Sequence, residues 1–407
     1  MVKRKTIIFL VIFLILAIVF LSFVFLKKDN KNNFALEKNL VRTNAVPKVI
    51  DKTDGLEFAQ KKEFTAPEII NSVYITSWSA SKKSHIDYIL NLAKSTEINA
   101  VVVDVKDYSG HIGYDISSEI DKYGAKQKRI SDIDKLVEEF HKSGIYTIAR
   151  ITVFQDPILA KARSDLAIHD KNKLIFATSD FSFLTLWFDK DGLAWIDPSA
   201  KESWDYNISI AKDAIKRGFD EVNFDYVRFP SDGSLENMIF PFFDGKTEKS
   251  LIIRDFFQYL SRELAGAKIS IDLFGLTTVS NDDLGVGQKI EDAFLNFDYV
   301  CPMVYPSHYA DGFQGYDNPA EYPYEVIKYS MDSAISRLKT FNEKKEQGRI
   351  TKLRPWIQDF NLGATYDFLA VQMEIKAIKD ALKDDFYGYM AWNSKNFYTA
   401  EAFLSQP

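Results

Sequence analysis

The residues of this chain best suited to chemistry lie at the ends of short apolar runs. In 221–227 the polar residues Glu221, Asn223 and Asp225 alternate with Val222 and Phe224, so three polar side chains share one face of a mostly buried strand. An acid in that setting is costly unless it is paired or used. Arg228, three residues on, is placed to hold Asp225 ionised, as a nucleophile or charge stabiliser requires. Ser270 and Asp272 alternate with Ile269 and Ile271 in the same manner. If the two runs are neighbouring strands, their terminal acids lie within several Å of each other. Two carboxylates in unlike environments are what glycosidic bond cleavage needs: one protonates the leaving oxygen, the other attacks the anomeric carbon or activates water. The competing reading is structural, an Asp225–Arg228 pair bracing the mouth of the fold and a satisfied core acid at 272.

Other polar positions extend the set. Asp104 and Asp107 flank Lys106 after a valine run and suit hydrogen bonds to sugar hydroxyls, although Asp107 equally suits a helix cap. Asp359, beside Gln358, is a third general-acid candidate and a substrate contact. Asp156 precedes Pro157 and reads better as an N-cap. Tyr305 ends another run, and His308, two residues beyond Pro306, is a candidate substrate contact. Trp356 and Trp392, with Trp78, lie on or at the ends of strand-like runs, where rigid indole faces match the apolar faces of sugar rings. The five His residues show no metal-ligand spacing, so a zinc hydrolase is not expected, and two-carboxylate chemistry needs no cofactor.

These positions require a scaffold that gathers strand ends. Strand-like runs recur at 72–78, 100–105, 146–152, 221–227, 268–274, 298–304, 354–359 and 387–392. Amphipathic stretches fall between most of them, at 86–94, 132–142, 204–216, 251–264, 324–344 and 367–382. Near-continuous apolar strands alternating with helices argue for a parallel sheet covered by helices. Eight such units predict a single (β/α)8 barrel, an α/β fold with its chemistry at the carboxyl ends of the strands. A doubly wound open sheet competes less well, because no Gly-rich phosphate loop occurs. Two long connections, 154–198 and 306–323, are candidates for the walls of a cleft.

Composition bounds the rest. The 407 residues are 46% hydrophobic and 27% charged, too apolar for a disordered chain. The formal net charge of -6, without a basic block, argues against nucleic acid as a partner. One cysteine, Cys301, excludes an internal disulfide framework and a Cys-cluster zinc site. From Ile7 to Leu26 every residue but Ser22 is apolar, and at about 1.5 Å per residue such a helix spans roughly 30 Å of bilayer. With Lys3, Arg4 and Lys5 before it and no small-residue cleavage site after it, residues 1–28 predict an uncleaved signal anchor and transmembrane helix. Residues 29–67 are polar with weak periodicity and predict a flexible linker, leaving 68–407 for the barrel. The expected location is the cell membrane, single-pass, with the barrel outside the cytoplasm.

The run from Gly218 to Pro230, Gly-Phe-Asp-Glu-Val-Asn-Phe-Asp-Tyr-Val-Arg-Phe-Pro, resembles the signature of a family of bacterial glycoside hydrolases of unknown specificity, a domain of unknown function within the TIM-barrel glycosidase superfamily. Further segments match in order: 103–107 with Gly110, 149–151 with Phe154 and Asp156, 195–198 with 204–207, 301–309 and 355–360. The resemblance covers roughly 71–397 and implies a carbohydrate-active (β/α)8 fold with an acid at Asp225. Asn223 stands where a larger polar residue such as Gln is expected. The reading that follows is a membrane-anchored glycoside hydrolase acting on an extracellular or cell-wall polysaccharide. The alternative is a non-catalytic saccharide-binding barrel, kept open because no Glu ends any of the strands.

Overall fold

The protein is described from a computed structural model, which covers residues 64–173, 185–344 and 351–404. Eight parallel strands close into a barrel: β1 (Ile70–Ile75), β2 (Ala100–Lys106), β3 (Tyr146–Thr152), β4 (Glu221–Asp225), β5 (Ile269–Phe274), β6 (Tyr299–Met303), β7 in two pieces (Lys352–Leu353 and Trp356–Gln358) and β8 (Gly388–Trp392). Each pairs with its sequence neighbours, and β8 returns to β1 with Gly388 opposite Ile70. Pro355 lacks an amide hydrogen and falls between the two pieces of β7, where the ladder is interrupted. The outer layer includes α1 (Lys83–Ser95), α2 (Ile133–Lys142), α3 (Lys201–Lys216), α4 (Lys249–Glu263), the one-turn α5 (Ile290–Ala293), α6 (Pro323–Glu343) and α7 (Phe368–Leu382).

Strand alternation sorts the core into two sets. Val101, Val103, Val222, Phe224, Ile269, Ile271 and Leu273 point outward and pack with the helices. Ala100, Val102, Tyr146, Ile148, Tyr299, Cys301, Trp356 and Met390 form the apolar part of the interior. Lower in the barrel, Glu221 is fully buried and ion-paired with Arg354, whose guanidinium lies 4.0 Å from the Tyr299 ring centre. With Arg354, Ser270 and Tyr146 all bonded to its carboxylate, Glu221 is structural. The polar face anticipated on β4 is therefore real, with only its last member at the mouth.

Register places the upper polar layer. Asp104 on β2 is opposite Arg150 on β3, Arg150 is opposite Asn223, and Asn223 is opposite Ser270. The chain then turns sharply at Tyr226, a non-glycine residue with φ of 54°, directly after the last residue of β4. Asp197, at the end of the 154–198 connection, ties it to the segment that follows β4. Its Oδ2 accepts amide hydrogens from Phe242 and Phe243, both at 2.8 Å, and its Oδ1 accepts that of Ser199 at 2.9 Å.

Among the described residues no helix is long and apolar enough to cross a membrane. The expected anchor and linker lie outside the described residues, apart from the last few linker positions at 64–67. Trp78 departs from the sequence expectation. It is on the one-turn helix Ser77–Ala80 rather than a strand, exposed, with the Arg129 guanidinium 4.6 Å from its ring centre.

Candidate active site

A cavity of about 450 Å³ opens at the carboxyl ends of the strands. Asp225, Asp272, Arg228, Tyr305, His308, Trp356 and Trp392 all line it, so seven of the residues anticipated from sequence meet in one place. At its floor, one guanidinium holds three acids. Arg150 donates Nη1 to Asp104 Oδ1 at 2.5 Å and Nη2 to Asp225 Oδ2, and its Nε lies 3.7 Å from Asp272 Oδ2. Because Asp225 and Asp272 touch the same guanidinium, their separation stays below the roughly 10 Å limit for glycosidase carboxylates.

The two acids are held differently. Asp225 Oδ1 accepts the Tyr226 amide hydrogen at 2.6 Å while Oδ2 takes the charge-assisted bond from Arg150. Asp272 is 1% exposed. Its Oδ1 accepts from Asn223 Nδ2 at 2.8 Å and from Trp356 Nε1 at 2.7 Å, and its Oδ2 has no hydrogen-bond partner among the described residues. Burial, followed by repulsion from Asp225, raises the Asp272 carboxyl well above the ordinary range. Asp104 is also raised by burial, opposed by Arg150 and by the Tyr74 hydroxyl that donates to its Oδ2. A single cation cannot neutralise three carboxylates, and the repulsion left over falls heavily on Asp272, the most enclosed acid at the cavity.

Several expected roles change. Arg228 does not brace Asp225. It donates Nη1 to the Phe229 carbonyl at 3.1 Å and to Ser231 Oγ at 3.2 Å, while Arg150 supplies the cation at Asp225. A free arginine so close in sequence was the wrong partner because β4 ends at Asp225 and the left-handed turn at Tyr226 directs Arg228 elsewhere. Asp107 is absent from the cavity lining. Arg129 and the Ser109 amide and hydroxyl hold it, making it a loop anchor. Asp359 accepts the Thr399 amide and hydroxyl at 2.8 and 2.7 Å and lines a separate cavity of about 310 Å³. Asp104 adjoins the cavity floor only by holding Arg150. Trp356 is 2% exposed, with its indole hydrogen committed to Asp272, so it positions an acid rather than offering an open face.

Asp156 caps the short helix Pro157–Ala162, as its sequence context predicts, and also pairs with buried Lys106 at 2.8 Å. The aromatic wall consists of Tyr305, Trp392 and Phe360, with Phe360 and Trp392 centred 5.0 Å apart at 89°. Arg150 itself escaped the residue-level reading. Its signal was available: it shares a strand face with Tyr146 and Ile148, where a lone cation demands an acid next door.

Among the described residues no cluster of His, Cys, Asp or Glu is arranged to hold a metal. A closed parallel barrel with neighbouring carboxylates and aromatic rings at its carboxyl rim defines the class of (β/α)8 barrel proteins with an acidic site at the strand ends. Residues 72–398 match the family described as "Putative glycosyl hydrolase domain", and the chain belongs to that family. No curated protein matches it. Similar solved structures include a hypothetical protein from Ruminiclostridium thermocellum ATCC 27405, 34% identical, covering 53% of this chain and 98% of its own, with a TM-score of 0.44. The glycoside hydrolase domain of PgaB (BpsB) from Bordetella bronchiseptica is 12% identical over 83% of this chain and 100% of its own, with a TM-score of 0.55, a likeness of fold. The α-galactosidase TtGalA of Thermus thermophilus is 11% identical over 84% of this chain and 67% of its own, with a TM-score of 0.47.

Proposed function

We propose that this chain hydrolyses glycosidic bonds of an extracellular or cell-wall polysaccharide through Asp225 and Asp272. The observation carrying this reading is the unequal treatment of two acids on one guanidinium. Arg150 is bonded directly to Asp225, which suits it to act at the anomeric carbon or on a water beside it. Asp272 is enclosed and pushed toward its protonated form, as a general acid must be at neutral pH. Asn223 and Trp356 fix the orientation of the Asp272 carboxyl through Oδ1. Tyr305 and Trp392 offer apolar surface to the sugar faces, with Phe360 packed behind them, and His308 contributes at the rim.

The membrane anchor belongs to the same proposal. The apolar run 7–26 and the basic residues before it support a single-pass anchor holding the barrel outside the cytoplasm on a polar tether. The reading of a non-catalytic saccharide receptor draws on one observation, that both oxygens of Asp225 are already engaged. A panel of bacterial and plant polysaccharides incubated with the full-length protein, with new reducing ends counted, separates the two. Hydrolysis of at least one glycan, lost in Asp225→Asn and in Asp272→Asn, supports catalysis. Binding without turnover across the panel contradicts it.

A further inference from the structure

Arg228 is the one charged residue of the cavity that the proposed mechanism leaves unused. Its side chain is 7% exposed, and no carboxylate lies within ion-pair distance of it among the described residues. The nearby acids are committed elsewhere: Asp225 to Arg150, Asp189 to Trp195 Nε1 at 2.8 Å, and Asp232 toward Lys190 at 3.9 Å. Three rings surround the cation instead, with the guanidinium carbon 4.8 Å from Trp195, 5.1 Å from Tyr226 and 4.8 Å from Phe274. Ring faces stabilise the charge but accept no in-plane N–H bond of useful strength. Among the described residues only Nη1 of its donors is bonded to protein, through the Phe229 carbonyl and Ser231 Oγ. Among the described residues Nε and Nη2 have no hydrogen-bond partner, yet neither is a fully enclosed unsatisfied atom, so this edge of the fork is open on the cavity side. A buried guanidinium without a counter-ion is costly to keep, and Nε with Nη2 forms the side-on pair that matches both oxygens of a carboxylate.

We infer that the cavity takes an acidic glycan, with a carboxylate on the sugar beside the cleaved bond received side-on by Nε and Nη2 of Arg228. The inference rests on the glycosidase reading for its orientation and deepens it by naming the substrate class. Asp225, Asp272 and Arg228 line the same cavity, so one sugar residue can present its anomeric carbon to the acids and its carboxylate to the arginine. Two sugar types that carry such a group away from the anomeric carbon are a uronic acid, with the carboxylate on C5, and a sugar with a lactyl ether, with the carboxylate on a side arm. The three acids on Arg150 give the floor an excess of negative charge, so without Arg228 an acidic sugar is repelled from the acid pair.

The test measures binding to the detergent-solubilised full-length Asp225→Asn protein, which keeps ligands intact. Glucuronic-acid oligosaccharides and muramic-acid-containing glycan strands are each compared with their carboxyl-reduced alcohols. In one of the two series the carboxylate form should bind at least about tenfold more tightly, and the series that shows the preference identifies the sugar type. Adding Arg228→Met should abolish the preference, and Arg228→Lys should restore part of it. Equal binding of acidic and reduced forms in both series, including no binding at all, overturns the inference. So does a preference that survives in a folded Arg228→Met protein. If that variant does not fold, the comparison of acidic and reduced ligands on the Arg228 protein still decides. Cleavage of neutral glycans without a carboxylate preference removes this inference and leaves the glycosidase reading intact. A carboxylate preference in a protein that cleaves nothing does the reverse.

Discussion

Arg150 is the residue on which the site's electrostatics turn. Replacing it with Met leaves Asp104, Asp225 and Asp272 enclosed without a cation, which should cost about 3–5 kcal/mol at neutral pH. The penalty depends on ionised carboxylates, so it should shrink as pH falls toward about 4, where free aspartates protonate. Urea unfolding of the variant at several pH values checks both the size and the trend. Asp272 predicts the opposite slope. Its folded-state carboxyl is raised, so the stabilising contribution of its neutral form is present below the unfolded value of about 3.9 and is lost as pH rises through the folded value. Asn is neutral throughout and can accept the same two bonds at Oδ1. Asp272→Asn should therefore lose less stability than wild type as pH rises from 4, and should unfold at an equal or higher temperature at neutral pH. A steeper loss than wild type contradicts an enclosed, protonated acid.

The strands and their register bring these residues together, and much of that was readable. The alternation in 221–225 and 269–273 identified the inward acids because valines, isoleucines and phenylalanines marked the opposite face. The helix limits followed apolar spacing closely, as in Ile133–Lys142 and Phe368–Leu382. Partner identity was not readable. Asp225 finds its cation on β3, 75 residues earlier, and Asp272 its indole on β7, 84 residues later. Sequence proximity favoured Arg228, whose direction depends on one left-handed turn, and gave Asp107 and Asp359 apparent access that Arg129 and Thr399 remove. The barrel seam carries a requirement of its own. Gly388 has φ of 108°, and a Cβ there would lie 2.0 Å from the Ile70 carbonyl oxygen. Gly388→Ala should destabilise the protein by at least about 2 kcal/mol, since strain and backbone clash act together where β8 meets β1. A thermal midpoint unchanged from wild type would show that the seam closes differently.

At the scale of the whole molecule, an acidic chain with 14% aromatic residues resolves into a barrel whose interior and rim use those rings in different ways. Trp187, Trp195 and Trp356 are almost fully buried, while Trp392 is half-exposed at the cavity. The proposed anchor makes a separate prediction. Leu14→Arg combined with Ile18→Arg introduces two charges near the centre of the apolar run, each costing roughly 2.5–3.5 kcal/mol in a membrane-spanning helix. The doubly substituted protein should leave the membrane fraction while retaining its turnover per molecule. Persistence in that fraction after an alkaline carbonate wash would contradict anchoring by residues 7–26.

The assignment of two different roles to two acids is the central claim, and leaving-group dependence tests it most directly. For any glycoside the protein cleaves, initial rates are measured on the natural linkage and on an aryl glycoside of the same sugar with an acidic phenol as leaving group. A general acid is needed for the first and nearly dispensable for the second. Asp272→Asn should lose about 10²–10⁴-fold on the natural linkage yet stay within about tenfold of wild type on the aryl glycoside, whereas Asp225→Asn should fail on both. Equal losses on both substrates for Asp272→Asn, or an active Asp225→Asn, would contradict the account.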